Sequence, residues 1–262
     1  MGIGDDIMAT AQARQIFNRT GKRVQFIKSK GVPYRSQSDI WAGNPHIASP
    51  EEQGDDIVRV VNAPGARPYI KSLTQFSYAW QTWEKEPGNL YLTDEEKRFA
   101  EPFAEKIIIS PIIKRRASPN KDWGWIRWAQ FAERARAENI RLTQLGAYPT
   151  PVVFGVDWIE TPSFRAACAI LSRARALVSI EGAMHHAAAA LGIPAVVIFG
   201  GYISPEITGY DSHINLFTAD KACGARQPCK HCEKAMAEIA PAHVLTSLKQ
   251  ILTLSIGADN GR

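Results

Sequence analysis

At 262 residues, with 45% hydrophobic and 22% charged content, the chain has the composition of a globular protein with room for two modest domains. No apolar run reaches the roughly 20 residues a membrane helix needs, and no secretory signal precedes Gly2, so a cytoplasmic location is expected. A formal charge of +5 suits an anionic partner, whether a nucleotide diphosphate, an anionic membrane surface contacted peripherally or a nucleic acid, and does not choose among them.

Taken in order, Gly2-Ile3-Gly4 is a glycine turn opening a helix with Ile7, Ala11, Arg14 and Gln15 at helical spacing, running to about Asn18. Val24 to Ile27 reads as a short strand. From Ser29 to Gly88 the pattern is irregular and proline-rich, with one clear strand at Asp56 to Val61. Trp41, Tyr69, Phe76, Tyr78, Trp80 and Trp83 either pack in a core or line a groove. A helix with acidic residues in its first turn starts near Asp94 and runs towards Ala104. The domain boundary is placed before it, giving units 1–88 and 89–262.

The second unit alternates strand and helix, the signature of a parallel sheet. Lys106 to Ile109 is a strand, followed by a loop rich in cations, Ser110 to Trp123, that is either a solvated turn or an anion site at a strand's carboxyl end. A helix with Ile126, Ala129, Phe131, Ala132 and Ala135 on one side, ending near Asn139, and a strand from Ile140 to Leu145 come next. Ser163 is the N-cap of a helix reaching Arg173, with Cys168 as a core thiol. Later come a strand near Asn215 to Phe217 and a terminal amphipathic helix, Pro241 to Leu254, with Val244, Leu245, Leu248, Ile251 and Leu252 on one face.

The stretch Val178 to Gly201 is a βαβ unit: an apolar strand, a break at Glu181-Gly182, an alanine-rich helix stopped by Gly192-Ile193-Pro194, and a second buried strand. Ligands bind beyond the carboxyl ends of such strands, which is where Glu181, Gly182, His185 and His186 fall, with Gly201 closing the second strand. The helix N-terminus there suits a phosphate. Adjacent histidines point about 100° apart on a helix, so one faces the crevice while the other packs or caps. The same pattern also suits any parallel sheet without a ligand.

Cys223, Cys229, Cys232 and His231 carry the ligand types of a structural zinc site. The run lacks a second clean pair, and His231 adjoins Cys232, which makes a shared metal awkward. Plain buried or surface thiols are the other reading, and no cofactor is expected.

The motif of 178–201 resembles that of the heptosyltransferase-like glycosyltransferases of family 9, in which an acidic residue is followed five positions later by His, then an Ala-rich segment and Leu-Gly-x-Pro. Glu181 stands in the acidic position, where Asp is usual, and His186 in the histidine position. Gly182-Ala183 stand where Ser or Thr followed by Gly is usual. Three further stretches are similar: Gly2-Ile3-Gly4-Asp5, Lys121-Asp122-Trp123, and Asp157 to Phe164. Family members carry a strand before the opening turn, whereas this chain begins at the turn, so that strand is absent or trimmed.

The resemblance implies an α/β, GT-B-like fold of two Rossmann-like domains with parallel sheets, the N-terminal acceptor-side domain reduced. It implies an inverting, metal-independent transfer of a heptose or similar sugar from a nucleotide-diphosphate sugar to a glycan, lipid-linked or protein hydroxyl. The family donor is typically ADP-heptose and the acceptor a lipopolysaccharide core sugar. Asp5 takes the general-base position, with Asp6 as fallback. Lys121 neutralises the donor diphosphate, Arg116 supplements it, and Glu181, Gly182, His186 and Gly201 complete the donor side. A GT-B-fold epimerase, a non-catalytic nucleotide-sugar-binding protein and a nucleic-acid-binding module are the alternatives, and the oligomeric state is open.

Overall fold

The structure, a computed structural model, describes residues 2–28, 38–113 and 118–259. Strands β1 (Arg23–Ile27), β2 (Ile57–Val61), β3 (Ile70–Leu73) and β4 (Tyr78–Trp80) and helix α1 (Ile3–Thr20) form the N-terminal part. The remainder runs α2 (Asp94–Ala100), β5 (Ile107–Ser110), α3 (Trp125–Ala137), β6 (Leu142–Gly146), β7 (Asp157–Glu160), α4 (Phe164–Leu171) and β8 (Ala176–Ile180). It continues through α5 (Ala183–Leu191), β9 (Ala195–Ile198), α6 (Pro205–Thr208), β10 (His213–Leu216), α7 (Lys230–Glu238) and α8 (Pro241–Asp259).

Six strands form one parallel sheet in the order β10-β9-β8-β5-β6-β7. The chain therefore grows outward from β5 through β6 and β7, then returns to the other side of β5 for β8, β9 and β10. That is the doubly wound order, and its reversal between β5 and β8 opens a crevice past their carboxyl ends. The strands are apolar on both faces because both faces are covered. Ile107, Ile109, Val178, Ile180, Val196 and Ile198 pack with α3 and α8, while Ile108, Leu177, Ala195 and Val197 belong to the core shared with α1, α4 and α5. The alanines of α5 let it lie close to α4, to the sheet and to α1.

Among the described residues, the N-terminal share of parallel sheet is the pair β1–β2, in register from Arg23↔Ile57 to Ile27↔Val61. Residues 84–89 form an extended strap along α1: the Arg14 guanidinium bonds Glu86 at 2.7 Å, the Pro87 carbonyl at 3.0 Å and the Asn89 side chain. The boundary placed near Asn89 thus falls in a packed strap.

Several elements depart from the sequence expectation. β3 and β4 pair as an antiparallel hairpin inside the stretch read as irregular, because β3 buries only Ile70 and shows no alternation. β7 occupies residues read only as a helix lead-in, and α7 begins inside the cysteine run. α2 ends at Ala100 and passes into a short 3-10 turn at Glu101–Phe103, since Pro102 cannot continue the hydrogen-bond ladder. The terminal helix, expected to end at Leu254, runs to Asp259 and has its main packing on α3, β8 and β9.

The start of α2 is tied to α4 by one arginine. Thr93 and Glu96 form a capping box, and Glu96 also receives Arg165 through two bonds of 2.6 and 2.7 Å. The same guanidinium donates to the carbonyls of Asp39 and Tyr91. Arg165→Ala is expected to lower unfolding stability by about 2 kcal/mol, after allowance for solvent screening, in a urea melt. Arg165 holds the Glu96 carboxyl below its ordinary 4.5, so the loss should be complete above that pH and shrink as pH falls through the lower folded value.

Candidate functional site

The loops after β5 and β8 meet at the sheet's switch point. The first ends in a 3-10 turn, Pro119–Lys121, anchored by Trp123, whose fully buried indole donates to the Ile239 carbonyl at 2.8 Å. The second is Glu181-Gly182, leading into α5. The Lys121 ammonium and the Glu181 carboxylate form an ion pair between the two loops, with Glu181 only 4% exposed. Burial raises the Glu181 carboxyl, but Lys121 and the neighbouring imidazoles outweigh it and hold the group well below the usual carboxylate range. Lys121 also lies 5.2 Å from the centre of the Tyr202 ring.

The two imidazoles divide their work. His185 is fully buried: its Nδ1 accepts from the Gly182 N–H at 3.0 Å, so its Nε2 is protonated and donates to the Thr208 carbonyl at 2.9 Å. Burial and the adjacent His186 keep its pKa well below the ordinary 6.5, leaving a neutral ring that ties the strand exit to α6. His186 places Nε2 3.7 Å from Glu181 and Nδ1 2.8 Å from the Tyr210 hydroxyl. Gly182 offers the start of α5 no side-chain cap, and a Cβ built on it would meet nothing within 4 Å.

α1 begins opposite this point. A Cβ on Gly4 would lie 2.8 Å from the His186 ring and 3.4 Å from the Ala183 Cα, so only glycine lets the two helix starts approach this closely. Asp5, the next residue, is held by Arg67 at 2.9 Å and by the Tyr69 hydroxyl at 2.5 Å. Burial and the Asp5 carboxylate push the Tyr69 phenol well up, so it stays a donor. Asp6 points the other way, into the N-terminal core, where its oxygens accept from Ser38 at 3.0 Å and Asn62 at 3.4 Å. Burial raises its pKa to about 6, yet that position removes it as a substitute for Asp5 at the crevice.

Lys121, Glu181, Gly182 and His186 thus form one connected set, and Asp5 follows the glycine that packs against it. Gly201 sits elsewhere: it is buried, and a Cβ there would run into the His231 ring at 2.8 Å, which places it with the cysteine cluster. Arg116 lies outside the described residues. Sequence reasoning missed Arg67, the partnership of Tyr69 with Asp5, and Tyr210. Each reaches the site from a distant part of the chain, and only the bulky Tyr69 had drawn notice, as a packing residue. Of the aromatic residues read as either core packing or groove lining, Trp80 and Trp83 join the two parts of the molecule, donating to the carbonyls of Tyr202 at 3.0 Å and Ile207 at 2.8 Å. Two surface clefts, one against α3 and α8 and one beside β6, share no residue with this set.

No protein-family model and no curated protein matches the sequence. Solved structures do. The crystal structure of the glycosyl transferase family 9 protein from Veillonella parvula aligns over 97% of this chain and 95% of its own, with a TM-score of 0.66 at 13% identity. The chain shares the fold of that structure. E. coli ADP-heptose lps heptosyltransferase II aligns over 72% of this chain with a TM-score of 0.50 at 17% identity, and the chain spans 59% of its length. At these identities the likeness is one of fold, GT-B-like and α/β, as the sequence resemblance implied. No helix among the described residues is long and apolar enough to cross a membrane.

Proposed function

We propose that this protein is an inverting glycosyltransferase that moves a sugar from a nucleotide-diphosphate donor to a hydroxyl of a glycan, lipid-linked or protein acceptor, in a cleft between units 1–88 and 89–262. The observation that carries the reading is the contact of Gly4 with His186. It brings the start of α1, with Asp5 one residue on, against the start of α5, where Lys121, Glu181 and His186 cluster. Asp5 takes the acceptor proton as the hydroxyl oxygen attacks the anomeric carbon. The bond from that carbon to the diphosphate oxygen breaks, and the charge gathering there is met by Lys121 and the N–H groups of α5. Arg67 and Tyr69 fix the direction of Asp5, while Glu181 and His186 orient sugar or ribose.

That the displacement needs no metal is carried by the family resemblance. A lipopolysaccharide core acceptor, a heptose donor and peripheral work at the inner face of a membrane are the finer readings carried by the family resemblance. A binding protein without turnover is the second reading, favoured by both Asp5 oxygens being already engaged.

A thermal-shift screen of ADP, GDP, UDP, CMP and their sugars tests the donor side. One nucleotide class should raise the melting temperature by several degrees, more with its sugar than without. A flat response to all of them would remove the proposal.

A further inference from the structure

Outside the crevice, Cys223, Cys229, Cys232 and His231 converge, with one ligand atom from each lying within 4.8 Å of the others. The sulfur of Cys223 is 3.8 Å from that of Cys229 and 3.2 Å from that of Cys232, and none is in a disulfide. Tetrahedral coordination with metal–sulfur bonds of about 2.3 Å sets sulfurs about 3.8 Å apart. A disulfide would use two of the three thiols and leave the third without a purpose.

The backbone explains how the four meet. Cys229 is the N-cap of α7 and Cys232 its third residue, the two positions that face one another in a capping box, so the C-x-x-C spacing brings both sulfurs to one point. Cys223 arrives from a tight turn at Gly224, whose φ of 64° lies in the left-handed region, and its sulfur accepts the Ala225 N–H at 3.4 Å. The adjacency of His231 and Cys232 is no obstacle: the His231 Nδ1 lies 3.9 Å from the Cys232 sulfur. Gly201 leaves room for its ring.

We infer that these residues form a Cys3His site for a thiophilic divalent metal, zinc or ferrous iron, that clips the 223–232 segment in place. What the clip would hold is on both sides of the molecule. Gly224 accepts from Tyr78 of the hairpin at 2.9 Å and donates to Tyr202 at 3.0 Å. Asn120, next to Lys121, donates to the carbonyls of Ala225 and Gln227 at 2.8 and 2.7 Å and accepts from the Cys229 N–H at 3.1 Å. The metal thereby braces β4, the strand-end loop and the lysine turn at once. The site stands on residues outside the donor crevice and does not depend on the transferase reading.

The test uses the full chain purified under reducing conditions without chelator. Elemental analysis should find about one equivalent of zinc or iron. Exchange for cobalt should give thiolate-to-metal charge transfer in the near ultraviolet and the intense visible bands of tetrahedral coordination. Chelator should make three more thiols reactive to alkylation and lower the melting temperature. Cys168→Ala should keep the metal, and His231→Ala should keep the thiolate bands while shifting the visible ones. Metal-free protein with no cobalt bands, or a disulfide among the three cysteines, would overturn the site. Because the metal content, the cobalt spectrum and the thiol count are all measured on the unaltered protein, the test stands even where a Cys→Ser variant fails to fold.

Discussion

Asp5→Asn is expected to cut glycosyl transfer by about two orders of magnitude or more while leaving nucleotide affinity nearly unchanged. The carboxamide matches the carboxylate in size and still accepts from Tyr69, so the first turn of α1 keeps its place, but it cannot take a proton from an acceptor hydroxyl. Asp5 makes no ion pair with Lys121 or His186, which leaves the donor side intact. The substitution does strip Arg67, 8% exposed, of its counter-ion and leaves it the Asn62 carbonyl oxygen at 3.3 Å, so a stability cost of about 1–3 kcal/mol accompanies it. A melting curve and a nucleotide titration on the same sample separate that cost from the catalytic one. Transfer at the wild-type rate would exclude Asp5 as the base. A wild-type protein that binds nucleotide and transfers to no acceptor would decide for the binding protein.

What the sequence shows and what it hides follows from the range of the interactions. Both halves of the switch point were legible because each is local: an apolar run, a glycine break and a helix start lie within a dozen residues, and the strand order follows from short crossovers. That one of His185 and His186 packs as a cap was legible too, although the two rings lie 3.9 Å apart rather than diverging. The partners of Asp5 were not. Arg67 and Tyr69 lie more than 60 positions away in a stretch without periodicity, and a buried arginine looks the same in sequence as a solvated one. The convergence of three cysteines was half visible: Cys229-x-x-Cys232 announces itself, but Cys223 joins only because Gly224 turns the chain beneath Tyr78. Gly201 was misplaced for the same reason, as α7 was hidden within a run read for its ligands.

The second large effect belongs to Lys121→Ala, which should weaken binding of a nucleoside diphosphate by about 30- to 100-fold, the loss of one charge-assisted contact of about 2–3 kcal/mol. The variant also leaves Glu181, 4% exposed, without its ammonium partner. Removing one member of a buried pair costs more than the pair contributes, and about 2–3 kcal/mol of stability should go with it. The pH dependence gives this away. With Lys121 gone, burial, the largest influence on Glu181, is no longer outweighed, and its folded pKa should rise above the ordinary 4.5. In the wild type the depressed carboxyl adds stability that is complete above its unfolded value and lost as pH falls through the folded one, whereas in the variant a raised carboxyl loses stability as pH rises through its folded value, so the deficit should be smallest in strong acid, present by pH 4.5 and larger still towards neutrality. Lys121→Met combined with Glu181→Gln removes both charges and should recover most of the stability at pH 7 without recovering the nucleotide. Equal affinity in Lys121→Ala and wild type would mean that the diphosphate is held by the helix N-terminus alone and that the lysine serves only to keep the two strand-end loops together.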